Sequence, residues 1–362
     1  FAWTPVVTLR DAGLDTNVFD EAADPKRDTV AVLSPQADGL YDNGTWKLAL
    51  AGGADFVYFR RYTDERSINS RGSARLDVGL ARVSPFAGIG WVDTRERQNA
   101  EIDLRARRTE RDLRAGARVE LTSRVGVEGS VRGSDVRYRA GQLFRGVDLA
   151  QRLNRESTGF GGRLTVDVTP LTRFAVDAEL LRDRFEFARE QNADHLRVIG
   201  GFEFSPDAII RGRATVGYHQ MEPQGAIAIP YEGVTASVDI GYVLLGRTRF
   251  DVRVNRDTTY SLAQQPYYLS TSYGGEVLHN LVGPLDVSAR YTREWLDYPG
   301  IPDRGLSAQQ TRVNRYGAAL AIRATDRFRL AVHYEFNERL SEDTPAVEFD
   351  RRRMYTTITY GF

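Results

Sequence analysis

The chain has 362 residues, 27% of them charged, and its 49 basic and 49 acidic side chains cancel to zero net charge. Mean hydropathy is −0.42 and no run of roughly 18 apolar residues occurs, so a helical membrane protein is excluded. Balanced charge offers no net field for nucleic acid, and the lack of cysteine removes disulfides, thiolate chemistry and cysteine metal sites.

A strand-spanning membrane protein survives these exclusions, because alternate barrel residues face lipid and lumen and any window averages polar. The chain opens at Phe1 without methionine or an apolar signal core, which reads as a mature or trimmed form.

Along the chain no apolar period of 3.6 with caps is sustained, whereas two-residue alternation recurs throughout. Val83-Ser84-Pro85 reads as a tight turn, and the alternation slips near 85–93. Leu113, Ala115, Ala117, Val119 and Leu121 then oppose Arg114, Gly116, Arg118 and Glu120. After the turn Thr122-Ser123-Arg124, Val125, Val127 and Val131 oppose Glu128, Ser130 and Arg132. Leu164, Val166 and Val168 alternate with Arg163, Thr165 and Asp167. Past Thr169–Thr172, Phe174, Val176 and Ala178 alternate with Ala175, Asp177 and Glu179, and Leu180-Leu181 reads as a bulge. The pattern slips again near 192–204 and 267–280, on either side of two clear strands. In those strands Val234 to Tyr242 oppose Thr235 to Gly241, and Phe250, Val252 and Val254 oppose Arg249, Asp251 and Arg253. Phe328, Leu330, Val332, Tyr334 and Phe336 oppose Arg329, Ala331, His333 and Glu335. In the last strand Met354, Thr356, Ile358, Tyr360 and Phe362 share one face, and the chain stops on an aromatic.

Further short turns at 205–207, 245–247, 282–284 and 324–326 alternate with longer polar loops at 12–28, 59–68, 138–153, 219–231, 256–266, 296–310 and 338–350. Short connections on one side and long ones on the other suit an outer-membrane barrel. Apolar outward faces on every strand imply closure, since hydrocarbon tolerates no unpaired backbone groups. The expected fold is all-β: one closed antiparallel transmembrane barrel over 1–362, of about 18 strands (16–18). Its periplasmic turns are short, its extracellular loops long, and both termini lie on the short-turn side. A soluble sandwich would need a core richer in Leu, Ile and Phe than these Ala, Val and Gly faces provide.

Aromatics fall where membrane girdles belong. Trp46, Phe86, Phe174, Tyr242, Phe250, Phe328, Tyr360 and Phe362 lie near short-turn ends. Tyr58, Phe160, Tyr218, Tyr291, Tyr334 and Phe336 lie toward the long loops. The opposite face assigns to the lumen Arg114, Arg118, Glu120, Glu128, Arg132, Arg163, Asp167, Asp177, Glu179, Arg211, Arg213, Asp239, Arg249, Asp251, Arg253, Asp286, Arg290, Glu294, Glu335, Arg351 and Arg353. Ladders of arginine and carboxylate brace a wall as readily as they select ions. No folded plug is visible, and the loop 138–153, with Leu143, Phe144 and Val147, is the first candidate for a constriction. Arginine's planar fork suits carboxylates and sugar hydroxyls, which points to acidic or neutral saccharides.

Chemistry is not indicated. His195, His219, His279 and His333 sit on separate hairpins with no pair at ligand spacing, and no GxSxG accompanies any serine. Ala51-Gly52-Gly53 and Gly161-Gly162 read as wall glycines. No catalytic residue, metal or cofactor is expected, and an enzyme ranks last.

The run Asp11-Ala12-Gly13-Leu14-Asp15-Thr16-Asn17-Val18-Phe19, then Asp28-Thr29-Val30 through Leu33-Ser34-Pro35, then a strand ending Phe56-Val57-Tyr58-Phe59, resembles the outer-membrane β-barrel porin group. Some members of that group lie beside exopolysaccharide export systems. The resemblance implies a barrel in the bacterial outer membrane, in contact with lipid and lipopolysaccharide. The C-terminal strand resembles the signal by which barrel-insertion machinery takes up its clients. Three roles follow in order: a porin-like channel for small hydrophilic solutes or saccharides, a conduit for exopolysaccharide working with export-system proteins, and a non-conducting barrel that anchors a partner.

Overall fold

The structure is a computed structural model that describes all residues except 226–228, 263–264, 303–304 and 342, so parts of four of the expected long loops lie outside the described residues. The described chain is built from β1 (Ala2–Asp15), β2 (Asp28–Asp42), β3 (Trp46–Phe59), β4 (Ser67–Val78), β5 (Val83–Glu96), β6 (Ala106–Glu120) and β7 (Val125–Tyr138). A short excursion follows, with β8 (Leu143–Phe144), β9 (Val147–Asp148) and the one-turn helix α1 (Leu149–Leu153). The wall resumes with β10 (Arg155–Thr169), β11 (Thr172–Phe185), β12 (Ala193–Phe204), β13 (Ile210–Pro223), β14 (Tyr231–Leu244) and β15 (Thr248–Tyr260). It ends with β16 (Tyr267–Val282), β17 (Leu285–Tyr298), β18 (Gln309–Arg323), β19 (Phe328–Ser341) and β20 (Phe349–Gly361).

Leaving aside the small β8–β9 hairpin, the strands form one 18-stranded sheet in which each pairs antiparallel with its chain neighbours and β1 pairs with β20. The sheet therefore closes and leaves no edge, as spanning strands require. Wall strands run from 12 residues in β4 to 16 in β16, more than the roughly 9–11 that a tilted crossing needs. Eighteen strands ~4.8 Å apart, tilted by ~40°, enclose a ring roughly 36 Å across its backbone. Short turns and termini gather at one end, long loops at the other.

The closing seam is tight. β1 bulges between Arg10 and Gly13 against β2 and between Leu9 and Ala12 against β20, with Asp11 at φ 57°. A Cβ on Gly13 would sit 2.1 Å from the Met354 carbonyl oxygen, so only glycine fits there. At the β14–β15 turn Leu245 and Gly246 both have positive φ, the twist that a two-residue hairpin favours.

Several local expectations are corrected. Val83-Ser84-Pro85 is not a turn but the start of β5, and the connection lies at 79–82. That misplacement shifts the parity of the strand. Phe86 therefore belongs to the inner face, not the girdle, where Arg75 and Arg114 stack over its ring at 4.5 and 5.7 Å. Leu180-Leu181 forms no bulge: β11 pairs without a register shift against β12, and with β10 the only shift lies at Asp167–Thr169. The segments near 85–93, 192–204 and 267–280 are ordinary wall strands. Two long loops, 97–105 and 186–192, and the turn at 43–45 escaped the sequence reading.

Outward aromatics form rows. Trp295 and Tyr273 (5.2 Å), Tyr291 and Tyr316 (5.0 Å), and Tyr316 and Phe336 (5.9 Å) line the long-loop end. Phe174 with Phe202 (5.3 Å), Tyr242 with Phe250 (6.4 Å) and Tyr360 with Phe362 (4.9 Å) mark the short-turn end. Trp46 and Tyr334 are exposed on the same outer surface, and Phe328 shares that face in register with Tyr360.

Candidate functional site: a loop across the lumen

Among the described residues, the largest fully buried apolar side chains, Tyr268, Ile102, Leu149, Leu153, Leu296 and Val18, lie in the loops and at the strand ends beside them. Ile102, Ala106, Tyr138, Leu149, Ala150, Leu153 and Leu262 form one cluster, drawn from three different connections and their flanking strands. Ala100 packs on a second cluster of Tyr268, Leu296, Tyr298 and Val313, which belongs to β16, β17 and β18. β5 and β6, which carry the 97–105 loop, lie halfway round the ring from β16 and β17. This loop therefore crosses the lumen and rests on the opposite wall. Residues that touch it identify the inner face of each strand.

The crossing is held by polar contacts at both ends. Arg97 donates to the Val18 carbonyl (2.7 Å) and the Asp103 carbonyl (2.7 Å), and pairs with Asp20 at 3.0 Å. Asn99 Oδ1 accepts from the backbone N–H groups of Glu101 and Ile102, each at 3.0 Å, turning the chain at its tip. On the far side Glu101 accepts from Ser261 Oγ (2.6 Å) and from the Leu262 N–H (3.2 Å). Asp103 pairs with Arg339 of β19 at 3.0 Å and with Arg145 at 3.5 Å. At the root, Arg105 binds Glu65 and stacks on Phe59 at 4.7 Å.

Burial taxes these charges. The Asp103 carboxyl is pushed up to about 6, first by loss of water and then by the nearby Asp20 carboxylate, against the pull of Arg339, Arg145 and Arg97. Burial likewise pushes the Arg105 guanidinium down to about 10.

The Asp15–Phe19 element explains itself in this setting. Asp15 accepts from the Asn17 N–H (3.0 Å) and from Arg351 Nε (2.9 Å), and the Arg352 N–H donates to Thr16 Oγ1 (2.9 Å). Asn17 donates to the carbonyls of Glu21 (2.8 Å) and Asp350 (3.1 Å). Val18 is buried among Val30, Val32, Val57 and Phe59. The motif ties the first strand to the last and supplies the ledge on which Arg97 lands.

The crossing leaves a hollow of about 480 Å³ beside it, lined by Asp20, Arg97, Gln98, Asn99, Arg315 and Phe349 among others. The 138–153 loop does fold inward, burying Leu149, Ala150 and Leu153, but Leu143 is 61% exposed. It packs against the crossing loop through Phe144 and Val147, and the segment that spans the lumen is 97–105.

Most of the charges expected in the lumen are engaged with one another. Arg114 and Arg118 share Glu128 at 3.0 and 3.2 Å, and Arg132 pairs with Glu179 at 2.7 Å. Arg163 and Arg213 share Asp177 and Glu203, and Asp167 pairs with Arg173 at 2.6 Å. Arg249 pairs with Asp251 at 2.7 Å, Arg253 with Asp239 at 3.6 Å, and Glu294 with Arg315 at 3.0 Å. Arg290 and Arg353 converge on Glu335, Arg351 joins Asp15 and Asp20, and Asp286 faces Arg329 at 3.9 Å. Glu120 and Arg211 stand on the same faces of their strands, and Gly241 leaves room for Arg211 beside Asp251. The placing of all four histidines on separate hairpins is corrected for one pair: β12 and β13 form a single hairpin, and His195 Nδ1 lies 3.0 Å from His219 Nε2. They are near-opposite positions about the 205–209 turn, so adding residue numbers across that turn would have found them.

A closed barrel with rows of outward aromatics and a loop drawn into its lumen defines a porin-like outer-membrane protein. The chain belongs to the family described as Putative beta-barrel porin 2, which matches residues 1–362. Among solved structures it is similar to OccK2 (OpdF) of Pseudomonas aeruginosa, with a TM-score of 0.56, 12% identity, and coverage of 99% of this chain and 98% of that one. It is also similar to the outer membrane protein opdK from the same organism, with a TM-score of 0.52, 9% identity, and coverage of 100% and 99%. The structure of OpdK with vanillate aligns at a TM-score of 0.53 with 10% identity over 99% and 98%. No curated protein matches the chain in sequence. The protein is a β-barrel of the bacterial outer membrane.

Proposed function

We propose that the 362 residues work as one barrel domain, a non-enzymatic channel for passive passage of small hydrophilic solutes or saccharides. The observation that carries this reading is the lumen-crossing loop, which narrows a wide ring to a polar hollow beside it. Its planar amides, engaged charges and one aromatic, Phe349, suit a hydroxylated solute that exchanges water for side-chain hydrogen bonds. A loop pinned to both walls does not suit a passing polymer, so an exopolysaccharide conduit loses ground. Contact with lipopolysaccharide and recognition of the C-terminal strand by insertion machinery belong to the same reading.

Liposome swelling with sugars of increasing size tests it. Monosaccharides enter, larger oligosaccharides do not, and replacing residues 98–104 by a short glycine linker raises the cut-off. A folded, inserted barrel that admits nothing before or after that replacement sinks the channel and favours the scaffold.

A further inference from the structure

A buried chain of titratable groups on the inner wall has no part in the constriction as described. It comprises Asp183 (β11), His195 and Arg197 (β12), His219 (β13), and Asp257 and Tyr260 (β15). The two imidazoles meet at 3.0 Å with their rings 17° from parallel, and His219 is fully buried. At the outer ends His195 Nε2 lies 3.2 Å from Asp183 Oδ2 and 3.1 Å from the Tyr260 hydroxyl, and His219 Nδ1 lies 3.2 Å from Asp257 Oδ1. Tyr260 donates to Asp183 at 2.7 Å, and Arg197 donates to Asp257 at 2.9 Å. Around them Ser157 of β10 binds Asp183, Arg155 lies over the Tyr260 ring at 5.5 Å, Tyr231 meets His219 edge-on at 5.6 Å with Arg256 beside it, and Tyr267 meets Tyr231 at 6.0 Å.

The geometry fixes the proton count. A nitrogen lone pair cannot face a carboxylate, so both outer nitrogens carry hydrogen. Were both rings neutral, that would use their two protons and leave two bare lone pairs opposed across 3.0 Å. A third proton turns the clash into an N–H···N bond and gives the pair one positive charge. With Arg197 that charge balances Asp183 and Asp257, as burial demands. A fourth proton would set two N–H groups against each other. With Asp183 and Asp257 ionised, the only protonation state that satisfies every contact is the one in which the two rings share a proton.

The chain ends beside the constriction. Tyr260, bound to Asp183, is followed directly by Ser261 and Leu262, which hold Glu101 at the tip of the crossing loop. We propose that His195 and His219 form a single proton-binding site carrying one shared proton at neutral pH, and that losing that proton unlatches the crossing loop through Tyr260 and Ser261. The effect on permeation rests on the channel reading; the proton site and the latch do not.

The test uses the full chain in nanodiscs with ¹⁵N-labelled histidine, its four histidines assigned by His195→Gln and His219→Gln. At pH 7 three of the four ring nitrogens of the pair are protonated and shift together on titration. Hydrogen exchange over 97–105 in His219→Gln at pH 7 is about tenfold faster than in wild type, the loss of about one buried charged contact. Wild type reaches the same rate at the alkaline pH where the shared proton leaves. Two neutral rings at pH 7, or unchanged exchange in His219→Gln, overturns the proposal. Should His219→Gln not fold, Ser261→Ala replaces it: the histidine spectra stay as in wild type while protection of 97–105 stops following their titration. A barrel that gives all these signatures yet passes no current refutes the channel and leaves the latch standing.

Discussion

Asp103 makes the lock of the crossing loop depend on pH in a calculable way. In the seated loop its carboxyl is pushed up to about 6, whereas in a lifted, solvated loop it returns to its ordinary 3.8. The difference is roughly 2 units, or ~3 kcal/mol against the ionised, seated form once ionisation is complete. Because the pKa is raised, this penalty is full above about pH 6 and fades toward 3.8, so the seated loop gains stability as pH falls. From pH 7 to pH 5 the gain is ~1.3 kcal/mol, about tenfold in the seated-to-lifted ratio. Protection factors of the 97–105 amides, corrected for intrinsic exchange, should rise about tenfold across that interval, and brief large-conductance openings should become rarer. Asp103→Asn should flatten both responses while retaining a partner for Arg339, which is only 2% exposed. Protection that falls on acidification, or a slope that survives in Asp103→Asn, would refute the assignment.

Glu101→Ala should cost the seated loop about 2–3 kcal/mol through its lost bonds to Ser261 and Leu262, read as longer high-conductance dwell times in planar bilayers. Arg249→Glu with Arg253→Glu changes two wall positions from positive to negative, and reversal potentials in a salt gradient should move toward cation selectivity. Val252→Arg, on the outer surface, should lower the folding free energy in liposomes by about 2–4 kcal/mol if it lies near the midplane, and less toward either interface. Removing the support by deleting 140–147 should raise exchange over 97–105, because Phe144 and Val147 pack on the cluster that holds Ile102.

The wall was legible because its grammar is local. One face of Leu113–Leu121 must meet lipid, its neighbours must not, and two-residue alternation reports that directly. It failed where a side chain broke the pattern for an interior reason: Phe86 fills the inner face against Gly116, and its apolar character mimics the outer one. The turn at 43–45 was overlooked although Asn43-Gly44 is itself a turn signal: Asn43 accepts from the Trp46 N–H and Gly44 takes φ 86°. Loop 97–105 was invisible for a different cause. Ile102 and Leu104 alternate with Asp103 as strand residues would, and what makes them a crossing is Ser261, Arg339 and Leu296, all more than 150 positions away.

That distribution of burial bears on how the passage is sized. Outer apolar groups are covered by lipid and the wall charges satisfy one another, so a jigsaw of fully buried side chains exists chiefly where loops meet, at Ile102, Leu149, Leu153, Leu296 and Tyr268. Close packing responds to volume changes of a single methylene, while a wet ladder of ion pairs rearranges at little cost. The width of the hollow is therefore set by how Ile102 seats among Leu149, Leu153 and Leu262 and how Ala100 seats against the far wall, and the charges nearby set which solutes favour it. Ile102→Ala should thus widen the passage without altering ion preference, and an arginine change in the lower wall should do the reverse.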